Sequence, residues 1–275
     1  MDIAVEMSND PGHVLDAAAG FLASDPVAHN LILTLLHARR AQPEPGRYWI
    51  ARDGGDVVGV VFQSPLTFHA ATTPMAPGVA ATVAHRISDL AADLPGIEGE
   101  AATVAAFAGA WTEVRRVSAR PTLGQRLYEL SSPAAVEAGG EWHIATPDHA
   151  EFLVQCFVAF ADEIGESKAG AAEVVARRTA AGELWVWVDS EPVSAAGRSE
   201  PVAGVTRIGP VYTSPAARGR GYASALVAAM SRDAVVADLR CILYTDLENP
   251  TSNGIYRSIG YRAVGEGLRY RFTAL

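Results

Sequence analysis

Residues 211–224 read VYTSPAARGRGYAS, and this stretch decides the fold. A run rich in β-forming residues ends within it, and a helix rich in alanine, leucine and valine begins near Tyr222. Between them, Gly219 and Gly221 permit positive φ angles and a close approach of the backbone to a ligand. The N–H groups that follow are the unpaired first donors of the helix and are aligned with its dipole. The turn therefore predicts an anion site suited to a pyrophosphate.

A second motif follows about 30 residues downstream of this turn. Residues 249–261 read NPTSNGIYRSIGY, which predicts a short helix over 251–259. The helix carries a tyrosine at position 256 and is followed by a Gly-Tyr pair.

The two motifs, in this order and at this spacing, resemble the signatures of the GNAT superfamily of acyltransferases. Residues 218–223, RGRGYA, match the pattern Arg/Gln-x-x-Gly-x-Gly/Ala with alanine in the last place. The stretch 249–261 resembles the second signature of the family. The resemblance covers about residues 140–275. It implies an α+β fold with a mixed sheet between helices (α/β/α), acetyl-CoA as co-substrate, and acetyl transfer to an amine.

The family also implies that two central strands splay apart to admit the pantetheine arm. The local sequence agrees, because Gly209-Pro210 interrupts an otherwise continuous strand pattern over 202–213. Proline removes a ladder donor and is confined to edges or bulges, and a bulge here would open the sheet. By resemblance, the backbone of Val211 and Thr213 pairs with the pantetheine amides, and a backbone N–H near Val211 or Tyr212 stabilises the oxyanion.

The resemblance assigns an acetyl-CoA site to the strand end, the turn and the second motif. Its expected members are Val211, Tyr212, Thr213, Arg218, Gly219, Arg220, Gly221, Tyr222, Ala223, Ser224, Asn249, Asn253 and Tyr256. Tyr256 stands where the family keeps its general acid. A phenol, whose unperturbed pKa is ~10, is a reasonable proton donor to a thiolate of comparable basicity.

The general base is less defined by the sequence. All seven histidines precede residue 150, so none lies in the cofactor-binding segment. Glu163 and Glu166 follow the first helix of the C-terminal half, a region that lines the acceptor site in the family, and Asp246 ends a predicted central strand. Each of these three carboxylates is a candidate catalytic group that could relay a proton through water.

Charge is distributed unevenly in the C-terminal half. Residues 141–200 hold 11 acids and 4 bases, whereas residues 201–275 hold 5 acids and 9 bases. The basic segment suits the polyanionic CoA, and the acidic segment suits a cationic acceptor. The expected partner is therefore a small-molecule amine, with a homodimer left open.

The middle of the chain predicts a boundary between two domains. Serine, proline and glycine at 131–140 read as a linker between a domain at 1–132 and a domain at 140–275. Each half follows the order helices, hairpin, then helix and strand, which indicates two related GNAT-like domains in tandem. The N-terminal half has no Arg-x-x-Gly-x-Gly/Ala sequence. Residues 94–99 stand where its corresponding turn is expected, and Glu98 there would repel a phosphate, so this domain is predicted to lack a cofactor site.

Two details of this division are testable by the structure. Residues 53–56, DGGD, predict a hairpin between strands at 48–51 and 57–62. Residues 190–200 are predicted to be a polar loop between strands at 184–188 and 202–213.

Composition excludes several classes of protein. The net charge of −9 argues against a nucleic-acid partner, which needs a basic surface. Two cysteines in apolar surroundings suit a reducing cytoplasm. The sequence shows neither a signal peptide nor a membrane span, and it has no metal-binding motif such as His-Glu-x-x-His or Cys-x-x-Cys.

Two other functions compete with acetyl transfer. Gly219-x-Gly221 after a strand, with Asp246 ending the next strand, also resembles a dinucleotide fingerprint, but the third glycine is missing and too little chain follows for a doubly wound sheet. A non-catalytic acyl-CoA sensor or partner-binding module is the second alternative. The acceptor itself stays open among an antibiotic, a polyamine, an amino-acid derivative, a thiol-precursor amine and a protein N-terminus.

Overall fold

The computed structural model describes residues 2–90, 93–164 and 168–275. Contacts divide the chain into two compact units. The N-unit comprises Met1–Leu127, Asp246–Glu248 and Val264–Leu275, and the C-unit comprises Tyr128–Thr245 and Asn249–Ala263.

The N-unit combines five helices and seven strands over its described residues. Its helices are α1 (Pro11–Ala17), α2 (Ala19–Ser24), α3 (Asn30–Ala41), α4 (Pro77–Leu90) and α5 (Ala101–Arg115). Its strands are β1 (Ile3–Ser8), β2 (Arg47–Asp53), β3 (Asp56–Gln63), β4 (Ala70–Thr72), β5 (Gly96–Glu100), most of β6 (Val117–Leu130) and most of β12 (Tyr261–Ala274). The strand order is β1-β2-β3-β4-β5-β12-β6. The predicted hairpin is confirmed, because β2 and β3 pair antiparallel around the DGGD turn.

The C-unit repeats this order of elements. Its helices are α6 (Ala150–Ile164), α7 (Ala171–Ala180), α8 (Tyr222–Val236) and α9 (Pro250–Ile259). Its strands are β7 (Glu141–Ile144), β8 (Leu184–Asp189), β9 (Glu191–Arg198), β10 (Val205–Thr213) and β11 (Arg240–Asp246, whose last residue counts with the N-unit), in the order β11-β10-β9-β8-β7.

Both units contain a mixed sheet, as the fold prediction requires. In the N-unit β4 and β5 are parallel, and in the C-unit β10 and β11 are parallel, while their other described neighbours pair antiparallel. Each parallel pair is joined by one long helix, α4 or α8, as a crossover between parallel strands demands. The predicted α+β class with a mixed sheet is confirmed.

The core of the C-unit is built around α8. Small and aliphatic residues of this helix pack against β8, β10 and β11, and the largest side chains in the cluster are aromatic. Leu226, Val227 and Met230 are fully buried, and burial of each such side chain contributes about 1.5–3 kcal/mol. The helix that follows the glycine turn is therefore held firmly in place.

The units differ from a division at residues 132–140 in three places: the C-unit begins at Tyr128, residues 246–248 count with the N-unit, and so does the segment 264–275. Residues 264–275 count with the N-unit because β12 pairs antiparallel with β5, from Gly267 opposite Glu100 to Arg271 opposite Gly96. The end of the chain thus completes the sheet of the other unit.

The prediction of a polar loop at 190–200 was wrong. Residues Glu191–Arg198 form β9, which pairs with β8 on one side and β10 on the other. Its buried residues on both faces are small: Ser194, Ala195 and Ala196. The segment therefore lacks the bulky apolar residues that mark a strand in sequence. Pairing on both sides supplies what the local propensity does not.

None of the helices in the described ranges combines the length and the apolar character needed to cross a membrane.

Candidate functional site

The two parallel strands of the C-unit, β10 and β11, separate halfway along their length. β10 and β11 pair from Val205 opposite Arg240 to Ile208 opposite Leu243, and the pairing stops there. On its other side, β10 stays paired with β9, but the register shifts between Ile208 and Val211. Gly209-Pro210 therefore forms the bulge that the sequence predicts, and the strands part beyond it.

The part of β10 beyond the bulge offers backbone donors on its open side. Ser214 donates its N–H to the carbonyl of Val193 on β9 at 3.0 Å. Because successive N–H groups of a strand point to opposite sides, the N–H groups of Thr213 and Val211 point away from β9. They face the side from which β11 has separated, where an extended amide-containing group could pair with them.

The turn before α8 leaves a row of backbone N–H groups unused. Gly219 and Gly221 have φ angles of 78° and 83°, the left-handed region that favours glycine. None of the backbone N–H groups of residues 219–224 donates a hydrogen bond to a described residue. The first N–H after them that does so is that of Ala225, which donates to the carbonyl of Gly221 at 2.9 Å. A Cβ atom built on Gly219 would meet nothing within 4 Å. The turn is thus an open concavity lined by helix-terminal donors, suited to a phosphate.

Two side chains fix this turn to its unit. Tyr222, the first residue of α8, is buried and donates its hydroxyl to Asp189 at the end of β8. Arg218 donates to the carbonyl of Thr213 at 3.1 Å and to the carboxylate of Glu163 at 2.6 Å. Its guanidinium also lies over the ring of Tyr212, 5.2 Å from the centroid.

The carboxylate of Glu163 is engaged in an ion pair with Arg218. Its ion pair joins the last turn of α6 to the glycine turn, and the hydrogen bond to Glu163 is the largest cause of a raised pKa for Arg218. Both side chains are about half exposed, at 51% for Glu163 and 48% for Arg218. Burial and the neighbouring carboxylate raise the pKa of Tyr212, which Arg218 partly offsets.

Tyr256 lies inside the core of the C-unit, together with Tyr222 and the partly buried Val211. It is only 9% exposed, and its ring stands 6.3 Å from that of Tyr128 and 6.2 Å from that of Tyr261. Burial raises the pKa of Tyr256 to about 12, so the phenol is protonated at any physiological pH. This is the state that a proton donor needs.

The two asparagines of the second motif have internal partners. Asn249 caps α9 by accepting the N–H of Ser252 at 3.0 Å. Asn253 is buried, accepts the hydroxyl of Tyr128 at 2.9 Å and donates to the carbonyl of Asn249 at 2.7 Å. Their bonds orient the helix that carries Tyr256, and their contact with a cofactor stays a prediction.

Of the remaining catalytic candidates, only Asp246 lies among the described residues. The carboxylate of Asp246 accepts the N–H of Glu248 at 2.8 Å, which makes it part of the turn after β11, and this turn counts with the N-unit. Glu166 lies outside the described residues. No group of three or more His, Cys, Asp or Glu side chains able to hold a metal occurs among residues 2–90, 93–164 and 168–275.

The strand-to-helix turn of the N-unit is chemically different. Residues 94–99 are not that turn, because the structure places Gly96–Glu100 in β5; the turn consists of residues 73–76, between β4 and α4. Pro74 and Pro77 have no N–H to offer. The N–H of Thr73 goes to the carbonyl of Val60 at 3.0 Å, and that of Met75 goes to the hydroxyl of Thr103 at 2.9 Å.

The side chain of this turn that has a described contact points into the unit. Met75 is buried, belongs to the apolar core and packs against Gly59 of β3. The strands beside it show no counterpart of the β10 bulge, since β3 and β4 pair in simple register from Val61 opposite Thr72.

Sequence reasoning missed two residues that support the site in the C-unit. Ser194 on β9 is buried, donates to the carbonyl of Tyr212 at 3.0 Å and lies 2.9 Å from the hydroxyl of Thr213. It falls in the segment interpreted as a loop. Asp189, which holds Tyr222, ends a strand in the sequence, and this position is the only signal that could have drawn attention to it.

Comparison with known proteins agrees with this geometry. The family model described as FR47-like protein matches residues 188–270, which include the bulge, the glycine turn and the second motif. No curated protein matches the chain by sequence.

Solved structures match almost the whole chain. A GNAT-family acetyltransferase from Colwellia psychrerythraea superposes with a TM-score of 0.62 at 13% identity, covering 99% of this chain and 100% of the other. A GCN5-related N-acetyltransferase from Sphaerobacter thermophilus gives a TM-score of 0.63 at 15% identity, with coverage of 98% and 95%. A tandem GNAT protein from the clavulanic acid biosynthesis pathway gives 0.59 at 14% identity and covers 98% of each chain. The chain has a GNAT fold, and the resemblance inferred from its two motifs is confirmed.

Proposed function

We propose that this chain is an N-acetyltransferase that transfers the acetyl group of acetyl-CoA to a primary amine. The observation that carries the proposal is the row of unused N–H groups from Gly219 to Ser224, beside the point where β10 and β11 part. In this proposal the turn takes the pyrophosphate and the gap between the strands takes the pantetheine arm. A GNAT fold supports acetyl transfer in general; the amine and the residue roles are our proposal.

The reaction needs three services from the protein. The nitrogen lone pair of a neutral amine attacks the thioester carbonyl carbon, and negative charge develops on the carbonyl oxygen. We assign the N–H of Val211 to this oxygen, since it points to the open side of β10. The C–S bond then breaks, the sulfur takes a proton, and the nitrogen gives up its extra proton.

Tyr256 is our candidate for the proton donor to the sulfur. It lies in the same core cluster as Val211, and its raised pKa keeps the hydroxyl protonated. The proton that leaves the nitrogen goes to water or to a carboxylate relay. We assign Glu163 to the positioning of Arg218 rather than to this relay, because its carboxylate is held at 2.6 Å from the guanidinium.

The acceptor is proposed to be a small molecule. The excess of acids in residues 141–200 favours a cation. Part of this negative charge has described partners: Glu163 pairs with Arg218, Asp162 with Lys168 and Glu183 with Arg178. The preference for a cationic acceptor is therefore expected to be modest.

One assay tests the proposal. Purified chain, acetyl-CoA and a panel of amines are combined, and both free thiol and acetylated product are measured. We expect amine-dependent thiol release with matching product. Saturable acetyl-CoA binding without turnover on any amine would instead support the acyl-CoA sensor.

A further inference from the structure

One face of the β6–β12 pair in the N-unit carries arginines and hydroxyls. Val117, Ala119, Leu268 and Tyr270 pack against the apolar core of the unit. Because successive side chains of a strand alternate between its faces, every second residue along each strand projects from the opposite face. These residues line a shallow groove of about 690 Å³ whose walls include Ser118, Arg120, Thr122, Arg271 and Thr273.

The hydrogen bonds across the two strands fix which residues stand opposite each other. The hydroxyl of Ser118 lies 2.6 Å from that of Thr273, and the hydroxyl of Thr122 reaches the carbonyl of Arg269 at 3.4 Å. The strands are therefore antiparallel here. The residue midway between the two contacts on β6 is Arg120, and its cross-strand neighbour is Arg271.

Like charges at directly opposite positions of an antiparallel pair are destabilising. Neither Arg120 nor Arg271 has an ion pair or hydrogen bond of its side chain with any residue that the structure describes, and both are exposed. The nearby carboxylate of Glu98 bonds Arg269 at 2.6 Å. On its other side, Arg271 stands opposite Gly96, which brings no side chain.

We propose that Arg120 and Arg271 form a binding site for an oxyanion, a phosphate or carboxylate group of a small molecule. Two guanidinium groups at neighbouring positions can each donate two N–H bonds to one such group, and an anion between them replaces repulsion by attraction. The hydroxyls of Ser118 and Thr273 bond each other, which uses one of their two protons and leaves at most one O–H to donate at the edge of the groove. This site is independent of the acetyl-CoA turn and gives the N-unit a ligand of its own.

The test uses the full-length chain and resolves each arginine separately. Arginine Nε–H signals are followed by NMR during titration with inorganic phosphate, and in a second series with sodium acetate, each against sodium chloride of equal ionic strength. Phosphate that binds at the glycine turn does not interfere, because only signals assigned by substitution are read. Arg86 on α4 is exposed and provides the reference for non-specific shifts.

We expect saturable shifts at Arg120 and Arg271, with phosphate binding more tightly than acetate if the site takes phosphoryl groups and the reverse order if it takes carboxylates. Arg120→Gln should abolish saturation at Arg271, Arg120→Lys should weaken it several-fold, and Arg86→Gln should leave it unchanged. A second readout is thermal stability: Arg120→Glu should raise the Tm in chloride by relieving the like-charge pair. Linear shifts no larger than those of Arg86, or a saturable shift at Arg271 that persists in Arg120→Gln, would overturn the proposal.

Discussion

The two strand-to-helix turns of the molecule occupy the same place in the same order of elements, yet they have opposite chemistry. The turn at 73–76 contains Pro74 and is followed by Pro77, and its N–H groups at Thr73 and Met75 are bonded internally. The turn at 218–221 is built on glycines in the left-handed region and leaves its N–H groups open.

This difference teaches that the fold supplies the position and the turn residues supply the site. A mixed sheet with a crossover helix places a helix N-terminus at the end of a strand in both units. In the C-unit, the turn has glycines at 219 and 221 and follows the bulge at Gly209-Pro210. The N–H groups at the start of its helix therefore stay open to a phosphate. Single substitutions in either unit test whether these residues account for the difference.

The largest effect, on kcat, is expected from a substitution in α9. This helix follows β11 in the C-unit as α5 follows β5 in the N-unit. The seventh residue of α9 is Tyr256, and the seventh residue of α5 is Phe107. Tyr256→Phe removes the hydroxyl and leaves at this position the phenylalanine that the N-unit has at Phe107. General acid catalysis contributes about 10²–10⁴-fold, so kcat should fall within about that range while KM for acetyl-CoA changes less.

Steady-state and single-turnover kinetics of this variant measure the loss. Tyr261→Phe is the matched control, because its hydroxyl bonds Ser231 at 2.8 Å inside the core and should affect stability more than kcat. A kcat within about twofold of the parent, with the chemical step shown to be rate-limiting, would make Tyr256 a core residue.

A smaller loss is expected from closing the glycine turn. Gly221→Val places a branched side chain at a φ of 83° in a turn that must admit a phosphate. Strain of this kind, about 1–3 kcal/mol, lowers the stability of the folded chain with and without CoA. The bulk that blocks the phosphate acts on binding alone, and a loss of about 1.4 kcal/mol of phosphate contacts raises the Kd for CoA about tenfold.

Calorimetry on Gly182→Val provides the comparison, because Gly182 has a similar φ of 69° and open space around it but lies outside the turn. Equal affinities of the two variants for CoA would show that the turn is not the phosphate site.

A modest effect is expected at the ion pair that holds Arg218. Half-exposed pairs of this kind are worth about 0.2–1 kcal/mol, so Glu163→Ala should raise the Kd for CoA by at most about fivefold. Asp162→Asn, which breaks the neighbouring pair with Lys168, should leave it unchanged. A large fall in kcat with unchanged CoA affinity, together with loss of the acidic limb of the pH profile, would return Glu163 to the role of base.

The smallest expected change is in the alkaline pH profile. Burial raises the pKa of Tyr256 to about 12, and a raised pKa keeps the acid form present at pH values below it. The kcat of the parent should therefore show no decline assignable to Tyr256 between pH 8.5 and about 10.5. A titration near pH 10 that disappears in Tyr256→Phe would contradict the buried, protonated phenol.

The sequence predicted the parts of this account that rest on local chemistry. The glycine turn, the bulge at Gly209-Pro210 and the short helix with Tyr256 each follow from residues with special backbone requirements. Strand β9 and its Ser194 did not, because a strand of small residues is stabilised by its two neighbours rather than by its own propensity.

Side-chain pairing was likewise beyond the sequence. Glu163 reads as a candidate base until the structure joins it to Arg218, which is 55 residues away in the chain. The position of 94–99 in the chain predicts the turn of the N-unit there, whereas the topology assigns the turn to residues 73–76, which contain a proline and no glycine. The pairing of 264–275 with β5 could not be predicted either, since it depends on contacts distant in sequence.

We propose that the turn at 218–221 binds the cofactor and that the turn at 73–76 does not. Titration calorimetry of the full-length chain with CoA measures this directly through the stoichiometry, combined with Gly221→Val and with Pro74→Gly in the N-unit. We predict one CoA per chain, lost or strongly weakened in Gly221→Val and unchanged in Pro74→Gly. Two CoA molecules per chain, or one whose affinity responds to Pro74→Gly but not to Gly221→Val, would contradict the account.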